Sequence, residues 1–133
     1  MPNAADNREV INRCFETVAE SDIDLTSAVY SHFTETLPEA TQHIGYMDER
    51  MRGRMLDQIY SLLLDDVDAD YLAFEARTHQ GYGADNGLYR GILTAVKAAV
   101  CDVLGERWSS REEDAWEQSI NRIVGEIESV TSA

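Results

Sequence analysis

"THQGYG", residues 78–83, stands between two segments of helical periodicity. A histidine, His79, precedes a Gly-Tyr-Gly break. By itself the stretch allows a solvated residue at a helix end, a buried core histidine or a metal ligand. What flanks it decides which fold it belongs to.

Downstream, Leu88, Ile92, Ala95, Val96, Ala99, Val100 and Val103 recur at helical spacing to about residue 104. "GERWSS" then breaks the pattern, with Ser110 as the expected cap. The last helix carries Trp116, Ile120, Ile123, Val124, Ile127 and Val130. Upstream, "DYLAFEARTHQ" reads as a short helix with Leu72, Ala76 and His79 on one face. Before it lies an acidic run, "DDVDAD" at 65–70, expected as a helix terminus and loop. Met47, Met51, Met55, Ile59, Leu62 and Leu63 mark a helix at about 47–64. Leu25, Ala28, Val29, Phe33 and Leu37 mark another, which Pro38 ends or restarts as "PEATQHI". Val10, Ile11, Cys14, Phe15 and Val18 mark the first, at about 7–20, with capping residues in the following "SDIDL".

Period-3.6 patterning throughout and near-absence of period-2 alternation predict an all-α chain. Six or seven helices with short connections predict one domain over residues 1–133, its helices crossed around something central. At 133 residues the chain can bury a core without disulfides or structural zinc. Cys14 and Cys101 make no zinc or thiol-redox pattern and fit small buried hydrophobes.

The formal net charge is −14, with 25 acidic residues against 11 Lys and Arg. Such a surface repels nucleic acid and anionic lipid, which argues against both as partners. No stretch approaches the roughly 20 apolar residues of a membrane span. "MPNAADNREV" has neither a basic region nor an apolar run, so no secretory signal is expected and the expected location is cytoplasmic.

"EARTHQGYGADNGLYRGILTAVKAAVCDVLGERWSSREEDAW", residues 75–116, resembles the second half of bacterial single-domain globins and of flavohaemoglobin globin domains. The shared features are a histidine before a small-residue corner, a tyrosine opening a long apolar helix, "LG", an aromatic, a capping hydroxyl and "AW". The first half is similar in spacing: "VYSHFTETLPEA" has a tyrosine followed eight residues later by a proline.

The resemblance implies a globin-like fold of six to eight crossed helices, haem b as cofactor and reversible binding of a diatomic gas: O₂, NO or CO. It places His79 as the proximal iron ligand, in keeping with imidazole chemistry. Tyr89 matches the tyrosine behind that histidine, where a phenol can anchor the imidazole. Tyr30 matches the distal tyrosine, whose hydroxyl can donate a hydrogen bond to oxygen worth about 1.5–3 kcal/mol. Arg54 falls toward a haem propionate, with a surface arginine as the equal alternative. Any NO dioxygenase-type activity would need a separate reductase as electron donor.

Two departures accompany these matches. Ile44 stands where the family carries a phenylalanine that packs on the porphyrin. Aromatic stacking contributes about 0.5–1.5 kcal/mol, against roughly 10 kcal/mol from burying the porphyrin, so Ile44 loosens a haem without excluding it. Tyr46 is the residue that could shift in to compensate. Met51, followed by Arg54 and Met55, stands near the usual distal Gln or His and offers no hydrogen-bond donor. Met51 or Met55 could serve as a sixth iron ligand, or simply pack the core. Glu126 and Glu128 fall near, but not on, the acidic position of the flavohaemoglobin proximal network. His32 and His43 are expected at the surface. The alternative function is a globin-fold sensor or interaction module that has lost haem; a bilin-binding relative would lack a cysteine near the pocket helices.

Overall fold

The computed structural model describes residues 3–45, 47–65, 70–74, 77 and 86–131. Among these residues all regular structure is helical, as the periodicity predicts. His79, Tyr46, Ala76 and most of the 65–70 acidic run lie outside the described residues.

Helix α1 spans Ala4–Glu20, starting earlier than its apolar pattern suggests. The reason is a reciprocal capping box: Asn3 accepts from the Asp6 amide at 2.9 Å, and the Asp6 carboxylate accepts from the Asn3 amide at 3.2 Å. Its inner face buries Asn7, Val10, Ile11, Cys14 and Val18. Asp22, at φ 55°, turns the chain out of the helix. Helix α2 spans Thr26–Thr36 and begins where Asp24 accepts from the Thr26 amide at 2.9 Å. That amide holds the Asp24 carboxyl below its ordinary range. Pro38 follows, and a short helix α3 covers Ala40–Ile44.

Helix α4 spans Glu49–Leu64, with Asp48 as N-cap, accepting from the Met51 amide at 2.8 Å. Residues 70–74 are helical and bury Leu72. Helix α5 spans Asn86–Leu104 and runs into a 3₁₀ turn at Gly105–Arg107, where Gly105 takes φ +54°. Helix α6 spans Ser110–Thr131. Its cap is Ser109 rather than Ser110: Glu112 reaches back to accept from both the amide and the hydroxyl of Ser109. Although partial burial opposes it, this pair of bonds holds the Glu112 carboxyl below its usual range.

Helix α2 lies along α5, and α1 lies along α6. The first crossing is close because Gly91 has no side chain. A Cβ there would sit 3.1 Å from both Phe33 Cε1 and Leu37 Cδ2. His32 ties the same two helices at the surface through Asp102 at 2.9 Å. Asn7 donates to Gln118 at 3.0 Å between α1 and α6. Phe15 of α1 meets Tyr60 of α4 and Trp116 of α6, with ring centroids 5.0 and 5.7 Å away. Trp116, Ile11, Leu56, Leu63, Leu93, Ile120 and Ile127 are fully buried in one continuous core. Both cysteines are unpaired; Cys14 is buried in that core and Cys101 is half-buried. Among the described residues no helix is long and apolar enough to cross a membrane.

Candidate functional site

The first turns of α4 face α2 and α3, and most of the residues singled out by resemblance fall at this corner. A helix advances about 100° per residue, so a row of residues four apart drifts by about 40° each step. Counted back from the buried Ile59, Met55 lies about 40° round the helix, Met51 about 80° and Arg54 about 140°. Arg52 lies only about 20° from the Ile59 direction, on the inner face. The structure follows this geometry. Met55 is half-buried against the core, Met51 is 49 % exposed, and Arg54 is exposed. Met51 therefore leaves the apolar face that its spacing suggested, and Leu56, which that spacing omitted, is buried in it.

Arg52 is the residue that joins the corner. Its Nη2 donates to the Ile44 carbonyl at 3.0 Å, at the end of α3. Its guanidinium lies over the Tyr30 ring at 5.3 Å from the centroid. Its Nε is buried and has no hydrogen-bond partner among the described residues. In return the Tyr30 hydroxyl donates to the Arg52 carbonyl at 2.8 Å. Tyr30 and Ile44 are both buried. Burial pushes the Tyr30 phenol up to about 12, although the neighbouring guanidinium pulls it down. The phenol therefore keeps its proton at neutral pH and acts as a hydrogen-bond donor. The inward register of Arg52, four residues before Leu56 and seven before Ile59, was the sequence signal for it.

Tyr89 is buried in the first turn of α5. His79 lies outside the described residues, as does the side chain of His43. His32 is half-exposed and engaged with Asp102. Glu126 and Glu128 are exposed, and Glu126 accepts from Arg122 at 3.2 Å. Among the described residues there is no cluster of three or more metal-ligating side chains.

The chemistry of the α2–α3–α4 corner suits the distal wall of a haem site. It combines a protonated phenol, the apolar side chains of Ile44 and Met55, and a guanidinium whose buried Nε lacks a partner among the described residues. One feature runs the other way: the Tyr30 proton is already committed to a helix carbonyl.

Comparison of the chain with known protein families, with characterised proteins and with solved structures finds no match.

Proposed function

We propose that the chain is a globin-like domain that binds haem b through His79 and takes up a diatomic gas, O₂, NO or CO. The observation that carries the proposal is the buried, protonated Tyr30 on α2, set against α4 beside Ile44, at the place the resemblance gives to a distal tyrosine. Haem, when bound, would supply an iron able to take the gas. The chain's own residues supply the rest. The Tyr30 hydroxyl, still protonated, would donate a hydrogen bond to the gas by turning away from the Arg52 carbonyl. Ile44 and Met55 exclude water from that side, and Tyr89 steadies the His79 imidazole. Arg54, exposed on α4, would offer a cation to the carboxylate edge of the cofactor, the role the resemblance gives it. The proposed location is cytoplasmic, and turnover of NO would draw electrons from a separate reductase.

A second reading, a globin-like sensor or interaction module without haem, is favoured by one specific contact. The Tyr30–Arg52 hydrogen bond, with Arg52 in turn on the Ile44 carbonyl, closes the corner with protein groups alone.

Titration of the purified chain with haem separates the two. The proposal expects a Soret band that saturates at one equivalent. Absence of a saturable band, with the helical circular dichroism intact, would support the haem-free module.

A further inference from the structure

A cleft of about 140 Å³ opens between α1 and the corner where α5 passes through the 3₁₀ turn into α6. It is remote in sequence from Tyr30, Ile44 and Arg52. Its inner side is apolar: Val10 and Cys14 from α1, and Leu104 from the end of α5. Its rim carries three arginines, Arg13, Arg107 and Arg111. That is a notable concentration in a chain with 11 basic residues against 25 acidic ones. Arg13 is paired with Glu9 at 2.7 Å. Among the described residues the Arg107 and Arg111 side chains make no ion pair or hydrogen bond. Glu112 also lines the cleft; its carboxylate is hydrogen-bonded by Ser109 and feels the nearby Arg111 charge more weakly. Three cations against Glu9 and Glu112 leave one net positive charge around the opening. Glu9 and Glu112 offset two of the three charges, and the remaining one favours an anion at the mouth of the cleft.

We propose that this cleft binds a short-chain monocarboxylate, with its carboxylate between Arg107 and Arg111 and its hydrocarbon tail against Val10, Cys14 and Leu104.

Size, charge and surface each point to that class. A cavity of about 150 Å³ holds a molecule of roughly six non-hydrogen atoms. One net positive charge matches a monoanion, and Glu112 disfavours a dianion. The apolar inner side rewards a tail, which inorganic phosphate lacks. Burial pushes the Cys14 thiol up, more than the Trp116 indole pulls it down, so the thiol stays protonated and serves as apolar surface. A guanidinium binds a carboxylate through two parallel hydrogen bonds, which gives the head group its orientation. Few atoms are available for contact, so the dissociation constant should be on the order of 1 mM.

The test is a titration of the full chain with sodium butyrate, followed by the methyl resonances of Val10 and Leu104. Butyramide and inorganic phosphate serve as parallel titrants at matched ionic strength. The proposal expects saturable methyl shifts with butyrate. Butyramide and phosphate should produce neither saturation nor methyl shifts. Both rim arginines are exposed, so the Arg107→Gln/Arg111→Gln variant keeps its circular dichroism, and its affinity for butyrate falls roughly 10-fold or more. In the unmodified protein, butyrate affinity weakens as sodium chloride rises from low to physiological ionic strength. Equal affinity for butyramide, an unchanged constant in the double variant, or shifts that never saturate would each overturn the proposal, as would a salt-independent constant.

Discussion

Substituting alanine for glycine at three helical sites isolates the close α2–α5 crossing. Alanine is favoured over glycine in a helix by roughly 1 kcal/mol. At Gly53 and Gly125 an added Cβ meets nothing within 4 Å, so both substitutions should realise most of that gain. At Gly91 the same Cβ would stand 3.1 Å from Phe33 Cε1 and 3.1 Å from Leu37 Cδ2. Leu37 is half-buried and can shift its methyl. Phe33 is 3 % exposed and packed within the core, so its ring has no room to retreat. Overpacking of this kind costs typically 1–3 kcal/mol. Subtracting the propensity gain leaves Gly91→Ala neutral to about 2 kcal/mol destabilising, roughly 2 kcal/mol less stable than Gly53→Ala. With a urea dependence of about 2 kcal/mol per molar, the two midpoints should differ by about 1 M. Urea unfolding followed by circular dichroism reads this directly. Equal stabilisation by alanine at all three sites would refute the close crossing and the helix packing built on it.

Tyr30→Phe removes the hydroxyl bonded to the Arg52 carbonyl and little volume, so the haem-free protein should lose about 1 kcal/mol in denaturant unfolding; no loss would mean that the bond is not made. In the haem-loaded protein the same variant should release O₂ roughly 10-fold faster and CO at nearly the original rate, read by stopped-flow displacement. Lys97 is bonded to Glu113 and to Glu117, the latter at 2.6 Å. The Lys97 bond holds the Glu113 carboxyl below its ordinary value, so the stability it contributes is present above the unfolded carboxyl's range, about pH 4–5, and lost as pH falls through the folded value. Burial alone would lower the Lys97 ammonium, but the bonds to Glu113 and Glu117 outweigh it and leave it raised. Its contribution is therefore complete below about pH 10 and fades as pH rises through the folded value. The stability gap between wild type and Lys97→Met should be flat around neutrality and shrink at both extremes; a gap that grows in acid would contradict the pairing. Ile44→Phe should slow transfer of haem to an apo-globin acceptor, since an aromatic ring there adds stacking; an equal or faster rate would contradict that role.

Much of the helical architecture was legible because it is written in local periodicity. The apolar faces of α1, α2, α5 and α6 repeat at i, i+3 and i+4, and Pro38 separates α2 from α3. Tyr30 and Ile44 are singled out by the resemblance rather than by periodicity, and both are buried; His32, expected at the surface, is half-exposed. Arg52 was obscured by the methionines around it. Met47, Met51 and Met55 look like one row, but spacing by four drifts round the helix, and an arginine takes the inward place while Met51 is left half exposed. Ser109 displaced Ser110 as cap because Glu112 stands three residues beyond it and can reach back. The arginine cleft had no local signature at all: Arg13 and Arg111 line one cleft only because α1 packs on α6. His79 rests on the resemblance, since it lies outside the described residues.

The most direct test of the haem proposal is therefore the visible spectrum of haem-supplemented wild type and His79→Ala, with and without added imidazole. The proposal predicts a Soret band in the wild type, its loss or strong shift in His79→Ala at unchanged helical circular dichroism, and its restoration by free imidazole. A wild-type chain that shows no haem band, or a His79→Ala spectrum identical to wild type, would contradict it.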